Sequence, residues 1–208
     1  MSIKFIKFIF WTLLITGCYT SVITNTWKSK SIQSKKFEKI LVIALVNQKD
    51  RSLRESMENH LVGDLIEKGI TGISSLKEYG PKSFEGLKEN EVIQKLDNSG
   101  IDAVITIVLL DKEKEKYYVP GRVYYTPYNI YHRRFWGYYS TMYDRIDEPG
   151  YYSENTNYFW ESNFFDAKTK ELIYSVQTKS FNPNSSNGLA NEYGKLICND
   201  LFKNDILK

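Results

Sequence analysis

Two strongly apolar runs limit what this chain can fold into more than any other feature. Ile40 to Val46 and Ile101 to Leu110 are rich in β-branched residues and leave almost no polar surface. A strand with one wet face alternates, whereas a strand apolar at nearly every position needs cover on both faces, as in an α/β layer. The segments around them fit that demand. Leu53, Met57, Leu61 and Leu65, flanked by Val62 and Ile66, make a helical stripe that starts behind an N-cap position at Asp50 and stops at Gly69. A short strand over Ile70 to Ser74, a loop through Gly80 and Pro81, and a helix over Asn90 to Asn98 ended by Gly100 lead into the second run. Asn157 to Phe165 and Leu172 to Lys179 then alternate on either side of Asp166-Ala167-Lys168-Thr169-Lys170, a hairpin pattern. Leu189 to Leu201 closes the chain as a helix. The order β-α-β-α-β, then a β-hairpin, then a C-terminal helix predicts an α/β fold. Right-handed crossovers make the first three strands parallel, helices pack on the sheet, and the hairpin extends it antiparallel into a mixed sheet.

Lys4 and Lys7 precede an apolar run of eight residues, Phe8 to Ile15. That length suits the core of a signal peptide and falls short of the roughly 20 residues a spanning helix needs. Leu14-Ile15-Thr16-Gly17-Cys18 resembles the bacterial lipobox, in which small residues let the backbone enter the peptidase extended and the cysteine thiol becomes a thioether to diacylglycerol. The resemblance implies removal of residues 1–17, two or three acyl chains on Cys18 and tethering to a membrane; two or more chains hold stably where one does not. Tyr19 stands where some proteobacterial lipoproteins carry a retaining Asp, which points to the outer membrane, facing the periplasm. Residues 18–36, rich in Ser, Thr, Asn and Lys, read as a lipidated cysteine with a flexible tether. Residues 37–208 read as one α/β domain.

With Lys4 and Lys7 removed, the 28 basic residues become 26 against 25 acidic ones, which speaks against a nucleic-acid-binding face. The cysteines are Cys18 and Cys198 alone, so a lipidated Cys18 leaves no intramolecular disulfide, and Cys198 reads as a small buried hydrophobe in a helix. The two histidines, His60 and His132, do not fit a zinc spacing, and Arg133 and Arg134 beside His132 would oppose a cation. No glycine-rich phosphate loop occurs. Ser74-Ser75-Leu76-Lys77 matches the Ser-x-x-Lys string of penicillin-binding enzymes without that family's other motifs. Asp111, Glu113 and Glu115, alternating with Lys112, Lys114 and Lys116, read as a solvated turn leaving the second apolar run. No catalytic, cofactor or metal site is expected, and an enzyme is not.

Three further strings carry a second resemblance: Gly100-Ile101-Asp102-Ala103-Val104, Tyr117-Tyr118-Val119-Pro120-Gly121 and Phe165-Asp166-Ala167-Lys168-Thr169. Together with an apolar first strand and an Arg/Glu-bearing helix they resemble a family of uncharacterised bacterial envelope lipoproteins. The element order is also similar to the small α/β domains of the curli-export lipoprotein and of the Tol-system periplasmic propeller protein, a likeness of fold that does not fix function.

The remaining feature is an insert over residues 117–156. It carries Tyr117, Tyr118, Tyr124, Tyr125, Tyr128, Tyr131, Phe135, Trp136, Tyr138 and Tyr139 among others, punctuated by Gly121, Pro127, Gly137, Pro149 and Gly150. So long a connection is unusual in a compact domain, and so many rings gain from burial. Three readings stay open: a cap folded over the sheet, a partner-binding surface, or a platform on which glycan faces stack beside Arg122, Arg133, Arg134, Asp144 and Arg145. The residues expected to meet a partner protein or glycan are Tyr124, Tyr128, Tyr131, Arg134, Trp136 and Tyr138. The expectation is therefore a non-enzymatic binding or assembly module of the bacterial envelope, with the membrane as partner through lipid on Cys18. A hydrolase or glycan-binding protein acting on envelope polymer is the alternative.

Overall fold

In a computed structural model of the chain, residues 20–30, 36–82, 84–119 and 150–208 are described, apart from the side chain of Gln48. They form six strands and four α-helices: β1 (Ser21–Lys28), β2 (Lys39–Leu45), α1 (Arg51–Glu67), β3 (Thr71–Ser74), α2 (Ser75–Tyr79), α3 (Glu89–Asn98), β4 (Ala103–Val119), β5 (Tyr151–Asp166), β6 (Leu172–Phe181) and α4 (Ser186–Lys203). The strands make one sheet in the order β1-β6-β5-β4-β2-β3. β2 pairs parallel with both β3 and β4, and β6 pairs antiparallel with both β5 and β1. The mixed α/β sheet expected from the two apolar runs is the one that forms. By contacts the chain divides into two compact units, one of Met1–Lys112 with Asn157–Lys208 and the other of Glu113–Thr156.

In the first unit β2 is buried on both faces. Ile40, Val42 and Ala44 join Leu53, Met57, Leu61 and Leu65 of α1 in the main core, while Leu41 packs with Leu96 of α3, Ile101 and Val104 in a smaller one. The main core continues along Trp160, Phe164, Tyr174 and Val176 beneath α4, which supplies Leu189, Tyr193, Ile197 and Leu201. The hydroxyl of Tyr193 lies 2.7 Å from that of Ser162, and burial pushes its phenol pKa up. Gly194 sets how closely the helices approach: a Cβ there would come within 3.1 Å of the Leu61 backbone nitrogen and run into the Asp64 carboxylate. Cys198 is buried, and desolvation raises its thiol pKa to about 11.

Two of the three short strings singled out in the sequence, those at Gly100–Val104 and Phe165–Thr169, are joints. Gly100 adopts φ 64°, which a side chain rarely tolerates, and turns the chain out of α3. Asp102 then accepts the backbone N–H groups of Glu38 (2.8 Å) and Lys39 (3.2 Å), fixing the start of β2 beside β4. Asp166 accepts the N–H groups of Lys168 (2.8 Å) and Thr169 (3.1 Å) to close the β5–β6 turn, and the Ala167 N–H reaches the Asp102 carbonyl at 3.0 Å.

Four expectations need correction. Ser21–Lys28, read as part of a flexible tether, is β1, an edge strand registered against β6 from Ser21↔Ser180 to Lys28↔Tyr174. It escapes a pattern search because only Ser21 is buried and the strand is held through its backbone. The alternating charges of 111–116, read as an exit turn, are strand: β4 runs on to Val119 with both faces of that stretch exposed. β5 likewise starts at Tyr151 rather than Asn157, so the ends of the insert are regular. Asp50 stands at the N-cap of α1, yet its side chain makes no capping bond; the 3₁₀ turn before it is capped by Asn47, which accepts the Lys49 N–H at 3.1 Å.

The burial of Asp64 predicts a pH effect. Desolvation first, then the neighbouring Glu67, raises its carboxyl pKa, and its buried Oδ2 has no hydrogen-bond donor among the described residues. A raised folded pKa means stability is complete below the ordinary Asp range and is lost as pH rises through the folded value. Asp64→Asn is therefore expected to raise the melting temperature at neutral pH, with the gain vanishing near pH 3.5. A gain of equal size at both pH values in thermal melts refutes the electrostatic cause.

Candidate binding surfaces

Cys18, Tyr124, Tyr128, Tyr131, Arg134, Trp136 and Tyr138, the residues that the sequence marks for lipidation or binding, lie outside the described residues. So does His132. What the structure describes of the insert is its two ends, inside the second unit, and they form a ring-bearing strand pair. Lys116 Nζ lies 2.9 Å and Lys114 Nζ 3.8 Å from the Glu154 carboxylate, while the Tyr118 and Tyr152 rings meet at 5.3 Å in a tilted arrangement. Residue numbers rise on one strand as they fall on the other, so β4 and β5 pair antiparallel here. The hydrogen bond from Lys116, then its charge, lowers the pKa of the Glu154 carboxyl. Gly150 lies against Tyr118, and a Cβ at that position would overlap the phenol.

Exposure decides between the readings of this stretch. Tyr117, Tyr118, Tyr151 and Tyr152 are 45, 54, 63 and 75% exposed. A ring that caps a core is covered; these four are not. The cap reading therefore fails for the described tyrosines. Successive strand residues face opposite sides, so Tyr118 and Tyr152 share one face with Lys114, Lys116 and Glu154, while Tyr117 and Tyr151 lie on the other, and rings are open to solvent on both. Sequence counting names these rings but cannot show that they point outward, because exposure depends on what the far strand brings opposite them.

Concave sites among the described residues of the first unit include a cleft and a groove. A cleft of about 260 Å³ at the C-terminal end of β2 is lined by Val46, Asn47, Arg51, Arg54, Leu76, Pro81 and Lys82. Its cations are partly committed: Arg54 donates to Glu58 (3.2 Å), the Pro81 carbonyl (3.1 Å) and Ser75 Oγ (3.4 Å), and Lys82 approaches Glu85 at 3.8 Å. None of its lining residues is a nucleophile paired with a base. An apolar groove of about 370 Å³ lies between α3 and the β5–β6 turn, among Val92, Ile93, Leu96, Val104, Phe165 and Ala167, with the Glu89–Lys170 ion pair (3.3 Å) on its rim. Among the described residues no group of three or more His, Cys, Asp or Glu side chains could hold a metal ion. His60 is engaged with Asn187 at 2.8 Å.

The residue that sequence reading overlooked is Glu58. It lies fully buried beneath the cleft. Its Oε1 accepts the Ala44 N–H (3.0 Å), the Ser75 hydroxyl (2.9 Å) and Arg54 Nε; its Oε2 accepts the Ser74 hydroxyl (2.7 Å) and the Leu76 N–H (2.8 Å). Both serines of the Ser-x-x-Lys string are thereby occupied, and Ser74 also caps α2 by accepting the Lys77 N–H at 3.3 Å. The string is a structural joint. The available signal was the i,i+4 spacing of Arg54 and Glu58 on the flank of the buried stripe.

No protein-family profile matches the chain, and no curated protein matches it in sequence. Solved structures similar to it include the PelC dodecamer of Paraburkholderia phytofirmans, 8% identical over 85% of this chain and 94% of that one, with a TM-score of 0.41. They also include the lipoprotein GNA1162 of Neisseria meningitidis, 14% identical over 80% and 99%, with a TM-score of 0.43. A Helicobacter pylori protein named for its likeness to a neuraminyllactose-binding hemagglutinin is 12% identical over 86% and 90%, with a TM-score of 0.37. At such identities and scores these are likenesses of chain arrangement and do not bear on activity.

Replacing Glu58 with Ala removes the acceptor for five donors and leaves Arg54 without its partner, a change that typically costs about 3–5 kcal/mol. Glu58→Ala is expected to lower the denaturation midpoint accordingly, by roughly 10 °C in a chain of this size. Glu58→Gln is expected to recover part of the loss, since the amide keeps one acceptor. A midpoint for Glu58→Ala within 1 °C of the parent, by circular dichroism, refutes this assignment.

Proposed function

We propose that this chain is a lipid-anchored, non-enzymatic binding module of the bacterial envelope, which presents the exposed rings at the described ends of its insert, Tyr118 and Tyr152 foremost, to an envelope protein. The observation that carries the reading is the exposure of Tyr117, Tyr118, Tyr151 and Tyr152 on one strand pair. Exposed apolar surface of this kind marks places where something else docks. Tyr and Trp are over-represented among the residues that carry binding energy, because a large ring with only two rotatable bonds loses little entropy when it is fixed. The lipobox-like Leu14–Cys18 string supports the anchor, and the outer membrane facing the periplasm is its proposed address. Among the described residues no helix is long and apolar enough to cross a membrane.

Glycan is the second candidate for the same rings, favoured by the hydrogen-bonding groups of Lys116 and Glu154 beside them. Sugar faces stack on exposed phenols, whereas a protein partner buries their edges as well, so the two differ in how strongly a Tyr→Phe change acts.

The test is capture from detergent-solubilised envelopes with the processed lipoprotein carrying Tyr118→Ala and Tyr152→Ala together. Losing one hot-spot ring costs about 2 kcal/mol, a factor of about 30, so losing the pair is expected to weaken the complex by between about 30-fold and about 1000-fold. Lys82→Ala, in the cleft of the first unit, is expected to leave it unchanged. Undiminished capture by the double tyrosine variant sinks the proposed surface, and hydrolysis of peptidoglycan by the purified lipoprotein sinks the non-enzymatic reading.

A further inference from the structure

The described part of the chain reaches almost to the proposed lipid. Thr20 is held by α4: its N–H (3.0 Å) and its hydroxyl (2.6 Å) both donate to the Glu192 carboxylate, and its carbonyl accepts the Phe181 N–H at 2.8 Å. β1 starts at the next residue. Only Tyr19 stands between Cys18 and Thr20, and two residues span at most about 7 Å even when fully extended. A domain so attached cannot stand clear of the bilayer, because the glyceryl thioether of Cys18 lies at the boundary of headgroups and acyl chains.

The end of the sheet that meets Thr20 has the chemistry of such a boundary. Val22 pairs with Lys179, and Lys179 pairs with Phe159, so these three side chains share one row on the sheet face turned away from α4. Phe181 follows two residues after Lys179 on the same face. Val22 is 54% exposed and Phe181 50%, and the ammonium of Lys179 lies 5.1 Å from the centre of the Phe159 ring. Apolar groups beside a lysine at one end of a sheet suit an interface where rings reach past the headgroups and an ammonium meets lipid phosphate.

We propose that the sheet end formed by Thr20, Val22, Lys179 and Phe181 lies on the surface of the bilayer that holds the anchor, so that the lipid orients the domain. This rests on the reading that Cys18 is acylated, and the two can fail separately. The probe is the full processed lipoprotein in phosphatidylethanolamine–phosphatidylglycerol vesicles, spin-labelled at Val22→Cys, Phe181→Cys or, at the opposite end of the hairpin, Lys170→Cys. Cys198 is buried and the Cys18 sulfur is blocked by its lipid, so the label goes to the introduced thiol. Labels at 22 and 181 are expected to collide several-fold more with membrane-dissolved oxygen than with a water-soluble nickel chelate, and the label at 170 the reverse. Inserting ten Gly/Ser residues between Tyr19 and Thr20 is expected to bring the ratios at 22 and 181 towards that at 170. Aqueous behaviour at both 22 and 181, with mass spectrometry showing acylated Cys18, overturns the docking and leaves the anchor standing. An unmodified Cys18 overturns both, and ratios unmoved by the insertion overturn the role of the short link.

Discussion

The carboxylate of Glu58 ties the ends of β2 and β3 to α1 and α2, elements that core packing and strand pairing already bring close. One oxygen takes the N–H of Ala44 near the end of β2 and the hydroxyl of Ser75 in α2, the other takes the hydroxyl of Ser74 at the end of β3 and the N–H of Leu76 in α2, and Arg54 closes the set from one turn earlier in α1. A strand covered on both faces leaves little water for a polar group at its end, and an unpaired buried carboxylate is among the costliest groups a core can hold. The five bonds offset that cost only when β2, β3, α1 and α2 are all in place. The joint is therefore a condition on register as well as a contribution to stability. It fixes the C-terminal end of the parallel half of the sheet, where Gly100, Asp102 and the Asp102–Ala167 contact fix the other end.

The antiparallel half is built on a different principle. β5 and β6 each turn alternate residues towards α4, and among the large rings of Trp160, Phe164 and Tyr193 sit paired hydroxyls: Ser162 with Tyr193, and Ser21 with Ser180 at 2.7 Å. Tyr174 and Asp200 meet further along, and burial first, then the Asp200 hydrogen bond, pushes the tyrosine pKa up. Such a face resists sliding, because a one-residue slip would bring every ring outward and bury the polar residues of the other face.

This contrast explains what the sequence made legible. Period and composition identified β2, the inner half of β4, α1, α3, α4 and the β5–β6 hairpin, because in each of them side-chain burial follows the geometry of the element. They did not identify β1 or the outer halves of β4 and β5, where pairing is made by backbone groups and most side chains are exposed rather than buried in the core. Ser21–Lys28 reads as linker for that reason, and Asp111–Lys116 as a turn. Glu58 was hidden differently: a charged residue beside an apolar stripe ordinarily faces solvent, and only the long-range arrival of Ala44, Ser74, Ser75 and Leu76 makes its burial tolerable. Of the candidate surface, the richness in tyrosine was legible and the outward orientation of Tyr117, Tyr118, Tyr151 and Tyr152 was not.

The strand at Ser21 also changes what a lipid on Cys18 would do. An eighteen-residue flexible tether would have an end-to-end distance of roughly 23 Å, enough for a domain to tumble above the membrane and present any of its surfaces. A link of about 7 Å allows no such averaging, because it is shorter than the diameter of the domain it holds. The ordering of the domain is then settled once, by the fold, when Glu192 grips Thr20 and the Phe181 N–H binds its carbonyl. A partner meeting such a domain encounters it in one orientation rather than many, so less rotational freedom remains to be lost when the complex forms. On the proposed anchoring, a modest set of exposed rings would suffice to hold an envelope partner, since the entropy that a freely diffusing module would surrender on binding would already have been given up during folding and anchoring.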